Sequence, residues 1–302
     1  MLNRRRFLQV SSAALPALGF NAIAASAIEP IPRIGGPKFK FSLAAYSYRD
    51  LLTAKKDQPA QLTLKDFVSD CAKMGLEGTE LTSYYFPKEI TAEYLYGLRQ
   101  HCFLLGLDVS GTATRNEFAY PKGEKRDAEI AHTKKWIEHA AMLGAPVIRI
   151  FAGHQQKGQS EAEAHTLIVS GIEECCDYAG KHGVHLALEN HGGPTATAEG
   201  LLKFVRDVKS PWFGVNLDGG NFHTTDDPYA ELAQVAPYAL NAQIKVVMSG
   251  PDKKKVPADF KRIAKIMREA NYRGYIVLEY EEAESPREKC AEYVERMREA
   301  FA

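Results

Sequence analysis

The sequence lacks the features that mark several protein classes. Its 302 residues contain 45% hydrophobic and 25% charged residues, which excludes a disordered, collagen-like or disulfide-dense chain. There are only five cysteines, an odd number without CxxC spacing, so we predict buried free thiols rather than a disulfide framework or a zinc site. Lys and Arg number 38 against 38 Asp and Glu, with no long basic block, which argues against a nucleic-acid partner.

A long uninterrupted apolar run is also missing. Residues 1–27 contain three arginines at 4–6, then a mildly apolar run at 10–24 and then the small residues 25–27. This order predicts a secretory signal peptide, since a proline and a glycine interrupt the run and make it too short for a stable membrane span. The arginines resemble the twin-arginine motif, so we expect export to the periplasm by that route. An uncleaved basic anchor is the alternative.

Short β-type runs alternate with longer helical patterns through the rest of the chain, and no linker divides it. Such alternation predicts parallel βαβ units, and eight of them in one domain match a closed (β/α)₈ TIM barrel. We expect a signal peptide at 1–27, an N-terminal segment at 28–37 and the barrel at 38–302. An open doubly wound sheet is the alternative, but no glycine-rich phosphate loop follows the first strand. The predicted strands are 41–47, 78–83, 107–113, 146–152, 184–190, 213–218, 241–247 and 275–280. The predicted helices are 64–74, 91–105, 127–143, 160–182, 197–208, 256–270 and 286–301.

Three acidic residues lie at the ends of predicted strands. Glu189, Asp218 and Glu279 end the fifth, sixth and eighth strands, and Gln243 lies on the seventh. Strand ends of a barrel meet at one face, and oxygen donors suit a hard divalent cation. We therefore expect one ion, with Mn²⁺ or Mg²⁺ favoured over Co²⁺ or Zn²⁺ because no thiolate is present. An internal ion network with basic residues is the structural alternative.

Several ordered segments resemble the sugar isomerase/epimerase superfamily with the xylose isomerase-like barrel. They are SLAAYSYRD, GLEGTEL, LALENHGG, GVNLDGGNFH, NAQIKV and YIVLEYE. The resemblance covers about residues 38–300 and implies metal ligation by Glu189, Asp218, the Gln243 position and Glu279. Gln243 departs from the pattern, because the family usually has His there. The resemblance also suggests dimers or tetramers.

The resemblance implies α-proton abstraction beside a sugar carbonyl, with a metal-stabilised enediolate. Glu189 and Glu279 would be the catalytic acid and base. The expected substrate is a small, non-phosphorylated sugar or keto-sugar, since the protein is predicted to be exported and has no phosphate loop. The predicted substrate-binding residues are His191, Lys245, Arg149, Glu80, Asn221, His223 and Tyr46.

Other functions use the same residues differently. A lyase acting on 3-keto-glycosides would abstract the same proton and expel the group β to the carbonyl. An exported, non-catalytic sugar-binding protein would have a metal site degraded at Gln243. Abasic-site endonucleases of the same superfamily use more histidine ligands than this sequence offers, and a second carboxylate cluster for a two-metal isomerase is not evident.

Overall fold

Eight parallel strands close into a barrel in the computed structural model, which describes residues 29–56, 58–249 and 254–302. The predicted signal peptide lies outside the described residues. The barrel strands are β1 (Lys38–Ala44), β2 (Gly78–Thr82), β3 (Asp108–Ala113), β4 (Val147–Ile150), β5 (His185–Glu189), β6 (Phe213–Asp218), β7 (Ala239–Lys245) and β10 (Arg273–Glu279). Their order around the barrel is β1-β10-β7-β6-β5-β4-β3-β2. The predicted (β/α)₈ TIM barrel is confirmed.

Helices follow the strands and cover the outside of the barrel. They are α1 (Arg49–Leu52), α2 (Leu64–Lys73), α3 (Ala92–Leu104), α4 (Glu124–Leu143), α5 (Glu161–His182), α6 (Ala198–Asp207), α7 (Pro228–Val235), α8 (Phe260–Glu269) and α9 (Pro286–Phe301). Thr63 and Ser160 begin α2 and α5 with capping boxes, which satisfy free N–H groups of the first turn. Gly144 and Gly183 end α4 and α5 in the left-handed conformation, which glycine adopts without steric cost.

Some element boundaries differ from the prediction. The helix expected at 256–270 begins only at Phe260, because a short strand β9 (Lys255–Pro257) pairs antiparallel with β8 (Val247–Ser249). The proline at the end of β9 has no backbone N–H group to donate to a paired strand. Helix α8 begins after this proline, with Asp259 as its N-cap. Helix α7, eight residues long, was not predicted.

Side chains alternate between two environments along the barrel strands. Leucines and isoleucines such as Leu188, Leu217 and Ile244 are fully buried in the hydrophobic core, to which the helices also contribute. Polar residues of the same strands point inward and bond to one another. All five cysteines are buried and free, as predicted. None of the helices in the described ranges is long and apolar enough to cross a membrane.

Candidate active site

A cavity of about 1130 Å³ opens at the carboxyl ends of the barrel strands. Barrel enzymes place their chemistry at this face, because loops following the strands surround it. The cavity brings together six of the predicted site residues. They are Tyr46, Arg149, Glu189, His191, Lys245 and Glu279. The predicted residues Glu80, Asp218, Asn221, His223 and Gln243 do not line it.

Glu189 ends β5 beside a buried arginine. The Arg149 Nε atom lies 2.8 Å from Glu189 Oε2, and the Asn221 side-chain amide donates a hydrogen bond of 2.9 Å to Glu189 Oε1. Burial raises the pKa of Glu189 to about 7, although the nearby Arg149 cation opposes the shift. This carboxyl group therefore gains and loses a proton near neutral pH.

Lys245, the last residue of β7, lies among the remaining carboxylates. Its Nζ atom is 3.4 Å from Asp218 Oδ2 and 3.6 Å from Glu279 Oε2. It is also 3.0 Å from Glu281 Oε1. Burial raises the pKa of Asp218 and of Glu279, and Lys245 opposes both shifts. Burial by itself would lower the pKa of Lys245, but these acids raise it instead, so the residue stays an ammonium.

A layer of amides lies deeper in the barrel. The Gln243 amide donates a 2.5 Å hydrogen bond to Glu80 Oε1, and its oxygen accepts one of 2.6 Å from Asn216. Asn241 donates to Glu80 Oε2 at 2.8 Å and to the Asn216 side-chain oxygen at 2.9 Å. Glu80 is 1% exposed, so amides rather than substrate hydroxyls or Arg149 satisfy its carboxylate in this arrangement. The network also fixes which way the Gln243 amide faces.

Aromatic rings line the cavity next to the charged groups. The His191 ring lies 4.4 Å from the Phe151 ring, and the Arg149 guanidinium lies 4.0 Å above the same phenyl ring. Partial burial, with the Arg149 and Lys245 cations, lowers the pKa of His191 and favours the neutral imidazole. A neutral imidazole can donate a hydrogen bond to an uncharged sugar oxygen.

The donor set suits a hard divalent ion in its chemistry. Asp218 Oδ2 is buried and, among the described residues, has the Lys245 ammonium 3.4 Å away but accepts no hydrogen bond. Four acids, including Glu80, are at most 6% exposed here, against the two cations Arg149 and Lys245. In the arrangement described, however, no three His, Cys, Asp or Glu residues of the described ranges surround one metal position. Lys245 holds part of the compensating charge.

The predicted site residues do not include several polar residues that bond in this interior. Asn216 and Asn241 join Glu80 to Gln243, and Glu281 bonds to Lys245. A signal was present, because Asn216 precedes Asp218 by two residues and Asn241 precedes Gln243 by two, which places each pair on one face of its strand. Glu281 follows Glu279 by the same spacing.

Comparisons with known proteins agree with the fold. A family model described as xylose isomerase-like TIM barrel matches residues 68–300. Among curated proteins, none matches the sequence. A D-psicose 3-epimerase from Clostridium cellulolyticum H10, solved with D-tagatose, has a TM-score of 0.71 at 14% identity, covering 87% of this chain and 99% of its own.

Two further structures have similar scores. A xylose isomerase-like TIM barrel protein from Mycobacterium smegmatis, in complex with magnesium, has a TM-score of 0.68 at 17% identity, with 87% and 98% of the two chains covered. A probable 3-DHS dehydratase, AsbF, from Bacillus anthracis has a TM-score of 0.64 at 17% identity over the same shares of the chains. At these identities the similarity establishes the fold alone.

Proposed function

The chain belongs to the xylose isomerase-like TIM barrel family, and from that premise we propose that it is a sugar isomerase or epimerase. The proposed reaction is removal of a proton beside the carbonyl of a non-phosphorylated keto-sugar and its return to a neighbouring position or to the opposite face. The structures of a D-psicose 3-epimerase and an L-ribulose 3-epimerase share this fold, which supports the reaction class.

One observation carries the proposal: two buried carboxyl groups line the same cavity. Glu189 and Glu279 both lie at strand ends, and each is close to a fixed cation. One carboxylate would accept the α-proton, and the other, as a carboxylic acid, would return a proton. Arg149 and Lys245 would limit the cost of forming negative charge on the substrate.

Metal dependence is part of the proposal. Glu189, Asp218, Gln243 and Glu279 would hold one divalent ion. Asp218 Oδ2 faces Lys245 without a hydrogen bond, and four buried acids outnumber the two cations, so the site has negative charge to offer a metal ion. When bound, such an ion would supply Lewis-acid polarisation of the carbonyl and stabilise the enediolate charge. Mn²⁺ and Mg²⁺ suit these oxygen donors best.

A lyase is the second candidate. The same proton abstraction, followed by loss of the group β to the carbonyl, would eliminate the partner of a 3-keto-glycoside. The cavity volume of about 1130 Å³ favours this reaction, since a leaving group needs space beside the reacting sugar.

Elemental analysis tests the metal, and solvent exchange tests the chemistry. The protein is purified without chelator, then keto-sugars are incubated with it in deuterated water and followed by NMR. We expect about one divalent ion per chain and deuterium at the α-position. Glu279→Gln should lose both, whereas Glu288→Gln, at an exposed position on α9, should lose neither.

The outcomes separate the candidates. Release of the attached group without a rearranged sugar would identify the lyase. Sugar binding without exchange, in protein supplied with excess Mn²⁺, would identify a binding protein and contradict the enzyme proposal.

A further inference from the structure

The cavity extends well past the two catalytic carboxyl groups. Pockets for drug-sized ligands typically measure about 300–1,000 Å³, and this cavity measures about 1130 Å³. The charged residues Glu189, Glu279 and Lys245 line only its inner end, at the barrel axis. A single sugar ring bound there would leave the outer end without a ligand.

The wall of the outer end is one face of α4. Ala128, Glu129, His132 and Trp136 line it at helical spacing, and eight residues of helix correspond to about 12 Å. Phe86, which follows β2, packs edge-to-face on Trp136 with ring centroids 5.2 Å apart, so the two rings belong to the same wall. The outer end is therefore a slot with an aromatic wall on the α4 side.

Hydrogen bonds hold the polar groups of this slot in place. His132 Nε2 lies 3.0 Å from the Thr114 hydroxyl, and Glu129 accepts a 3.0 Å bond from the backbone N–H of Glu117. The Glu117 carboxylate in turn accepts bonds from the backbone N–H groups of Ala119 and His154, at 2.9 and 2.9 Å, which joins the loops after β3 and β4. A slot ordered before binding loses little entropy when a ligand enters.

The charge in the slot argues for an uncharged ligand. Arg115 is accompanied by Glu117 and Glu129, so positive charge is not concentrated there as a phosphate would require. Aromatic faces beside hydrogen-bonding groups suit a ring with an apolar face and polar edges. Both a second sugar and an aromatic group have this chemistry.

From this geometry we infer that the outer slot is a second subsite, which binds a ring joined by a glycosidic bond to the reacting sugar. The inference rests on the proposed function for the inner end of the cavity and deepens it, because it makes the substrate a two-ring glycoside rather than a free monosaccharide. Phe86, packed on Trp136, provides the apolar wall, and Glu129 and His132 provide hydrogen bonds.

A blocking substitution tests the subsite. Ala128 is exposed on the cavity face of α4, so Ala128→Trp would fill the slot, while Ala131→Trp places the same side chain at an exposed position of α4 outside the cavity lining. Calorimetric titration would use two matched pairs of ligands. D-fructose and maltulose differ by a second sugar, and methyl and phenyl β-D-glucoside differ by an aromatic ring.

We expect one of the two-ring ligands to bind the parent protein about tenfold more tightly than its single-ring partner. Ala128→Trp should remove this preference and change single-ring affinity less than twofold, and Ala131→Trp should preserve it. Arg115→Ala, an exposed position of the same slot, should reduce the preference if Ala128→Trp does not fold.

A preference below threefold in both pairs, or an unchanged preference in the folded blocking variant, would overturn the second subsite. Equal loss of single-ring and two-ring binding in Ala128→Trp would overturn it as well. Because the readout is equilibrium binding, failure of the proposed chemistry is distinguishable: it would appear as absent deuterium exchange while the binding preference persists.

Discussion

Arg149 and Lys245 determine how four buried acids share one barrel interior. Unpaired carboxylates are costly in a protein interior, and their cost falls when a cation or several N–H donors lie close. Arg149 forms an ion pair with Glu189, and Lys245 forms ion pairs with Asp218 and Glu279. Side-chain amides donate hydrogen bonds to Glu80. The alternative of an internal ion network is thus present in the structure, but two of its acids also face the cavity. Charge compensation and chemistry use the same side chains.

Removal of the Arg149 charge should destabilise the protein. Arg149→Met leaves Glu189 without its cation in a buried site, and breaking such a pair costs about 3–5 kcal/mol. Urea denaturation would measure the loss. Arg262→Met is the matched control, because Arg262 pairs with Asp227 at an exposed position, where less than about 1 kcal/mol is expected. Equal losses in the two variants would contradict the buried-pair argument.

The raised pKa of Glu189 predicts a pH dependence in protein treated with chelator. The pKa rises from 4.5 in the unfolded chain to about 7, so between these values the folded state binds a proton that the unfolded state has released. This contribution to stability is complete below about pH 4.5 and is lost as the pH rises through 7. In Glu189→Gln the loss should be smaller, as denaturation at pH 5, 6, 7 and 8 would reveal. The free energy of unfolding of Glu288→Gln should vary with pH as that of the parent protein does. The same pH dependence in all three proteins would contradict the raised pKa of Glu189.

At the scale of elements, the loops after β3 and β4 are tied together by one acid. A Cβ atom built on Gly153, which has φ of +98°, would lie 1.7 Å from Glu117 Oε1. Glycine is therefore required at position 153 for two reasons. The backbone there is left-handed, and the Glu117 carboxylate occupies the space that a side chain would need. The Glu117 carboxylate is held next to Gly153 by the N–H groups of His154 and Ala119. This contact between Glu117 and Gly153, which we call the clasp, shapes the outer slot.

Two glycine substitutions separate backbone strain from this close approach. Gly158 also has positive φ, +82°, but a Cβ atom there meets open space. Gly158→Ala should cost about 1–2 kcal/mol through the left-handed backbone alone. Gly153→Ala should cost more, since Glu117 must also move, and it should weaken two-ring ligands in calorimetry. Similar free energies of unfolding for the two variants would show that the clasp adds nothing.

Local signals in the sequence predicted most elements well. Most of the predicted strand and helix ranges overlap elements of the structure. The β8–β9 hairpin escaped prediction because each strand has only three residues, too few for a periodic signal. Helix α7 escaped because eight residues leave little periodicity, although Asp227 followed by Pro228 is a helix-start signal.

At the scale of the whole molecule, the export proposal concerns residues 1–27, which lie outside the described part. Five buried free thiols are compatible with folding in a reducing compartment before export. Replacing Arg4 and Arg5 by Lys should prevent periplasmic accumulation by the twin-arginine route, as fractionation and immunoblotting would measure. Arg6→Lys, outside the pair, is the control. Undiminished periplasmic protein in the double variant would contradict the proposed route.

The sequence by itself determined the barrel, because the alternation of strands and helices and the two-residue periodicity within strands are local properties. It also determined which acids lie at the carboxyl ends of their strands, since Glu189, Asp218 and Glu279 each follow a short, largely apolar strand segment. The partners of each acid were decided by tertiary structure. Glu80 and Gln243 are 163 residues apart and Arg149 and Glu189 are 40 apart, and strand register around a closed barrel is what brings each pair within bonding distance. The outer slot arises the same way, from the loops after β2, β3 and β4 and from α4, which no local pattern relates.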